Sequence, residues 1–122
     1  MHLTFYAKVV TYNEAIDGEL VSVCFQEEED DPDLDYTSAE SLYDNPVKGI
    51  WISAASEVGD FVADVEWCDG KNYDGKYDVR DYILSNNRLE LTLTDGSQFE
   101  IDFSTDDKTL KEIELFLSVA VK

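Results

Sequence analysis

RLELTLTDGSQFEIDF, residues 88–103, alternates apolar and polar side chains twice, once on each side of Asp95-Gly96. Side chains of a strand point to opposite faces in turn, so Leu89, Leu91 and Leu93 share one face with Phe99, Ile101 and Phe103 after the chain reverses. Asp-Gly is a two-residue hairpin signal, because glycine accepts the positive φ that a type I′ turn demands. The segment therefore predicts an antiparallel hairpin with one buried face.

Working outward from it, strand signals dominate. Residues 3–12 (LTFYAKVVTY) are rich in β-branched and aromatic types, and Asn13–Gly18 reads as a turn into a strand over Glu19–Gln26. Thr37–Tyr43 has the caps of a short helix, which Asn45-Pro46 ends. Lys48–Ala55 places Ile50, Ile52 and Ala54 on one face and Trp51 on the other; Asp60–Trp67 turns Phe61, Ala63, Val65 and Trp67 inward. CDGKNYDGKY (68–77) reads as a long turn; Asp78–Leu84 fits either a strand or a helical turn, with strand favoured. The chain closes with an amphipathic helix capped by Ser104 or Thr105, whose stripe is Leu110, Ile113, Leu117 and Ala120, broadened by Phe116 and Val121. Many strands followed by one helix argue for an α+β fold: a mostly antiparallel sheet of five to seven strands with the C-terminal helix packed on one face. With 122 residues, a single domain spanning 1–122 is expected.

Charge is the second theme. Twenty-eight acids against nine bases give a formal charge of −19, although 43% of the residues are hydrophobic, as in a globular chain. Self-repulsion on this scale opposes compaction, and phosphate binding needs a basic face, so nucleic acid and anionic membranes are poor direct partners. A basic protein is the natural complement. Seven acids fall within the nine residues Glu27–Asp35: Glu27, Glu28, Glu29, Asp30, Asp31, Asp33 and Asp35. The ordinary meaning of such a run is a solvated loop, and the overall charge raises the case for a steering field. Tyr36, Tyr43 and Trp51 lie near it in sequence, and aromatic anchors commonly supply binding free energy at a patch centre.

Catalysis and cofactors have little to stand on. The single histidine is His2, and no nucleophile elbow, P-loop, dinucleotide fingerprint or zinc-protease motif occurs. We expect no enzyme activity, no catalytic residues and no cofactor. GKNYDGKYDVRD (70–81) approaches a calcium loop through Asn72, Asp74, Gly75, Asp78 and Asp81, but Gly70 stands at the first position and the bidentate glutamate is missing at the twelfth. No metal site is expected. Cys24 and Cys68 are too few for a disulfide scaffold and read as reduced thiols of a cytoplasmic protein; residues 1–10 lack the pattern of a signal peptide.

Several of these features together resemble the tenth of the numbered immunity-protein families of bacterial polymorphic toxin systems. They are the strand ending Phe25-Gln26 before an acidic loop, Gly49-Ile50-Trp51, ILSNNRLELTL (Ile83–Leu93), IDF (Ile101–Phe103), Asp106-Asp107 and the closing helix. Ser53 stands where the family tends to carry an acid, and Ser56–Tyr77 is longer than the family's segment. The resemblance implies a cytoplasmic antidote that binds and neutralises a cognate toxin domain. A nuclease is one such toxin class, with a basic cleft for carboxylates to occupy. On that expectation Glu27, Glu28, Glu29, Asp30, Asp31, Asp33 and Asp35 steer and contact the toxin, with Tyr36 and Trp51 as anchors. The alternative is a small acidic adaptor or metal-responsive binding domain without catalytic activity.

Overall fold

The computed structural model describes residues 2–15, 20–28, 48–55 and 61–121. Among them are eight strands and one helix: β1 (His2–Ala7), β2 (Val9–Ala15), β3 (Leu20–Gln26), β4 (Gly49–Ala55), β5 (Asp64–Cys68), β6 (Tyr73–Leu84), β7 (Arg88–Leu93), β8 (Gln98–Phe103) and α1 (Asp107–Ala120). The fold is α+β, with a mixed, mostly antiparallel sheet and a C-terminal helix. The expected short helix over Thr37–Tyr43 lies outside the described residues.

Eight strands exceed the expected five to seven for one physical reason. The apolar stretch near the N-terminus is not one strand but two, broken at Lys8. A second difference lengthens a strand without adding one: the expected long turn at 68–77 is extended from Tyr73 onward, joining Asp78–Leu84 in a single β6, so the reversal occupies only Asp69–Asn72. Two Asp-Gly pairs suggested a turn there, and pairing with β5 overrides that local preference.

The order across the sheet is β1-β8-β7-β6-β5-β4-β3-β2, with β1 parallel to β8 and every other pairing antiparallel. β1 and β2 therefore lie at opposite ends of the order although Lys8 alone separates them. Only a sheet curled until its ends meet satisfies both facts. The curl divides it into two layers. One contains β1, β8, β7 and the second half of β6; the other contains β2, β3, β4, β5 and the first half of β6. β6 crosses between them with a register shift between Val79 and Asp81, the kind of bulge that bends a strand around a corner.

The core lies between the layers. Alternation buries Leu3, Phe5 and Ala7 of β1, Val21, Val23 and Phe25 of β3, Leu89, Leu91 and Leu93 of β7, and Phe99, Ile101 and Phe103 of β8. Rings meet across the gap: Phe25 with Phe103 at 5.3 Å between centroids, Trp67 with Phe99 at 6.1 Å. The helix adds Ile113, Phe116, Leu117 and Ala120 to this core, with the Phe116 ring edge-on to Phe61 at 5.9 Å. Ala63 N–H donates to the Ala120 carbonyl at 3.0 Å, tying the helix end to the start of β5.

Two local expectations are corrected. The β7–β8 reversal is a three-residue loop rather than a two-residue one: Gly96 N–H donates to the Leu93 carbonyl and Leu93 N–H to the Ser97 carbonyl. Gly96 takes φ +92°, the left-handed residue that follows a type I turn in such loops. Asp95 locks it, its carboxylate accepting from both the N–H and the hydroxyl of Ser97 at 2.9 Å. The helix cap is Asp106 rather than Ser104 or Thr105, its carboxylate accepting from Thr109 N–H at 2.6 Å. No helix of the described residues is long and apolar enough to cross a membrane.

Candidate functional site

Of the residues expected to bind a partner, Glu27, Glu28 and Trp51 are described; Glu29, Asp30, Asp31, Asp33, Asp35 and Tyr36 lie outside the described residues. β3 and β4 are antiparallel neighbours with Gln26 opposite Gly49, so the acidic segment leaves and returns at adjacent points. Its mouth is pinned. Glu27 N–H donates to the Lys48 carbonyl at 2.8 Å, and the Glu27 carboxylate stands 3.5 Å from the Lys48 ammonium. Glu28 is exposed.

Trp51 faces outward and is half-buried, stacked on Tyr73 of β6 at 5.5 Å with 21° between the rings. Tyr73 was missed as a partner because the sequence around it reads as a turn. The Trp51 ring lies over Gly49. Cys68 shares the outward face of Asp64 and Glu66 yet is fully buried. Register explains this: Cys68 sits between Gly49 and Tyr73, beneath the ring pair. Burial pushes the Cys68 thiol pKa up, with the Gly70 N–H pulling the other way. Cys24 lies on β3, two strand spacings (about 9–10 Å) across from Cys68 and two residues further along, too far for a disulfide without backbone movement.

The neighbouring β5–β6 turn is closed by Asp69, whose carboxylate accepts from Asn72 N–H at 2.8 Å and Lys71 N–H at 2.9 Å. Those bonds, Asn72 first, hold it below the usual carboxylate range. The calcium-like spacing of residues 70–81 does not make a loop: Asp74, Asp78 and Asp81 are strung along strand β6. At ~3.3 Å per residue, Asp74 and Asp78 are about 13 Å apart along the strand, too far to share one ion. Among the described residues no group of three metal-ligating side chains comes together.

The other acids are spread over both outward faces. On one layer Asp64 of β5 lies directly opposite Asp78 of β6. On the other, Glu90 of β7 lies directly opposite Glu100 of β8. Like charges in such positions oppose sheet formation. Arg88 offsets part of the second pair, with guanidinium nitrogens 3.0 Å from Glu100 and 3.2 Å from Asp102, but only 3.9 Å from Glu90. His2, the one histidine, is committed here too, its Nε2 lying 3.1 Å from Glu100, which also accepts from the Thr4 hydroxyl. His2 first, then Thr4 and Arg88, hold the Glu100 pKa below its ordinary value. This cluster was visible in sequence only as alternating acids; the register that brings them opposite one another was not.

A scan of this chain against models of known protein families finds no match, and a search of curated proteins finds none either.

Proposed function

We propose that this chain is an inhibitory binding module: an immunity protein of the cytoplasm that neutralises a basic toxin domain through its acidic surface. The observation that carries this reading is the outward placement of carboxylates against one another, Glu90 opposite Glu100 and Asp64 opposite Asp78, in a chain of formal charge −19. Such pairs cost folding stability, and attraction to a cationic surface is the gain that offsets the cost. The resemblance of Phe25-Gln26, Gly49-Ile50-Trp51 and Ile83–Leu93 to the tenth immunity family points the same way. A nuclease fits as target, because its phosphate cleft must be basic. The stacked Trp51–Tyr73 pair beside the mouth of the acidic segment supplies an aromatic anchor.

The test is recovery of the tagged protein from its own cells at low salt, with mass spectrometry of what accompanies it. A basic protein released only by high salt, and toxic when expressed alone, is the expected result. Clean, partnerless protein from cells in which the cognate toxin is expressed would overturn the reading.

A further inference from the structure

The layer formed by β1, β8, β7 and the second half of β6 presents three rows on its outward face. Register aligns Tyr6 with Asp102 and Arg88, then Thr4 with Glu100, Glu90 and Ile83, then His2 with Gln98, Thr92 and Asp81. Between the last two rows runs a groove of about 180 Å³, walled by Asp81, Ile83, Glu90, Thr92, Gln98 and Glu100. Three acidic residues thus line a space of side-chain size. Glu100 is already engaged, by Arg88 at 3.0 Å, His2 Nε2 at 3.1 Å and the Thr4 hydroxyl at 3.2 Å, whereas Arg88 comes only within 3.9 Å of Glu90, so Asp81 and Glu90 are the carboxylates an incoming cation would meet. Ile83 forms an apolar wall and is 63% exposed; Tyr6, 52% exposed, stands at the far side of the same face.

We infer that this groove receives a lysine or arginine side chain presented by a basic partner protein. The walls match the two halves of such a side chain. A long aliphatic stem lies along Ile83 and the Thr92 methyl, while the cationic head reaches Asp81 and Glu90. The incoming charge adds to what Arg88, His2 and Thr4 already give Glu100, and falls on Glu90, which Arg88 approaches only to 3.9 Å. This inference rests on the inhibitory reading for the identity of its partner. It places the contact on the layer that does not carry β3 and β4, whereas sequence alone pointed to Glu27–Asp35.

The probe is a synthetic peptide of alternating arginine and serine, with a twin in which citrulline, neutral and nearly the same shape, replaces arginine. Both are titrated at low salt into the full chain, and backbone amide shifts are followed by NMR. Saturable shifts at 81–83, 90–92 and 98–100 are expected with arginine and not with citrulline. The double change Ile83→Ser with Glu90→Gln should weaken the arginine peptide about tenfold while leaving the rest of the spectrum in place. Shifts confined to 27–28, 48–51 and 73, or no shifts with either peptide, would overturn the groove. So would calcium chloride at equal ionic strength reproducing the same local shifts, since the site would then take any cation. Capture of the cellular partner separates the two readings. A partner bound equally well by the Ile83→Ser, Glu90→Gln protein removes the groove and leaves the inhibitory function standing. A wild-type chain that captures nothing removes the function, and the peptide result alone then decides the groove.

Discussion

Replacing Gly75 with alanine sets two effects of opposite sign against each other, and the geometry decides between them. Gly75 lies in β6 opposite Glu66, and its φ is not in the left-handed region, so alanine is conformationally allowed. Reduced freedom of the unfolded chain would then stabilise the variant by roughly 0.4–1 kcal/mol. Against this, a Cβ at position 75 would meet Glu66 Cγ at 2.6 Å, Cα at 2.9 Å and Cβ at 3.0 Å. Carbon atoms rest at about 3.5–4.0 Å. Cγ can swing aside, but Cα belongs to the backbone of β5, so the two strands must part. Overpacking of this kind costs about 1–3 kcal/mol, so the steric term wins and a net loss of ~0.5–2 kcal/mol is expected. For a chain of this size that lowers Tm by roughly 2–10 °C. Urea and thermal unfolding followed by circular dichroism measure it. Near-ultraviolet spectra should also change, because Tyr73 and its stack on Trp51 hang from the displaced segment. Combining the change with Glu66→Gly removes the Cγ and Cβ contacts and leaves the Cα one. The pair should then be less damaging than the sum of the singles by about 0.5–1 kcal/mol. A Gly75→Ala protein as stable as wild type would refute the close approach of β5 and β6.

Four other outcomes are expected. Phe25→Ala and Phe103→Ala should each cost about 3–5 kcal/mol, with a coupling of roughly 0.5–1.5 kcal/mol in a double-mutant cycle; strict additivity would mean the two layers do not meet through these rings. Asp106→Ala should lower Tm, whereas Asp106→Asn should keep the cap and lose only its titration. Thr109 N–H holds the folded Asp106 pKa below its ordinary value, so its contribution is present above the unfolded value near 3.9 and disappears as pH falls through the folded one; the Asn variant should show a shallower acid limb in melts below about pH 4. A thiol reagent at neutral pH should label half-exposed Cys24 in the native protein and reach fully buried Cys68 only on unfolding; simultaneous labelling would contradict the cover that Trp51 and Tyr73 provide. Neutralising Glu28, Glu29, Asp30 and Asp31 together should slow association with the partner about tenfold at low salt and flatten its salt dependence, read by stopped-flow; an unchanged rate would remove this segment from steering.

Strand identity was legible wherever a strand buries one face only. Arg88–Leu93 and Gln98–Phe103 announce themselves because period-two burial is written directly into the residues, and the helix stripe Ile113, Phe116, Leu117 and Ala120 likewise. Tyr73–Asp78 was hidden because its neighbours are Asp-Gly pairs, and no local signal reports that β5 will be there to pair with it. The break at Lys8 was hidden for a different reason. Both halves of residues 2–15 are good strand sequence, and only closure of the sheet makes one half pair with β8 and the other with β3. The candidate site divides in the same way. Trp51 was found from its outward phase in β4, whereas Tyr73 and the Arg88 cluster depend on register between segments distant in sequence.

The spread of carboxylates over two outward faces changes what the formal charge of −19 can do. A partner docks on one face at a time. At physiological ionic strength charges beyond about 8 Å are largely screened, and two packed sheet layers are themselves about 10 Å apart, so the acids of the far face barely reach the encounter. The near face then acts through contact, and net charge becomes a poor guide to affinity. At ~0.01 M salt the screening length grows to about 30 Å and the whole molecule attracts. Asp64 and Asp78 belong to one layer, Asp81 and Glu90 to the other. Association that depends on both pairs at low salt but on only one pair at physiological salt therefore reveals which face docks, without a structure of the complex. Equal dependence on both pairs at high salt requires a partner that wraps around the edge of the sheet.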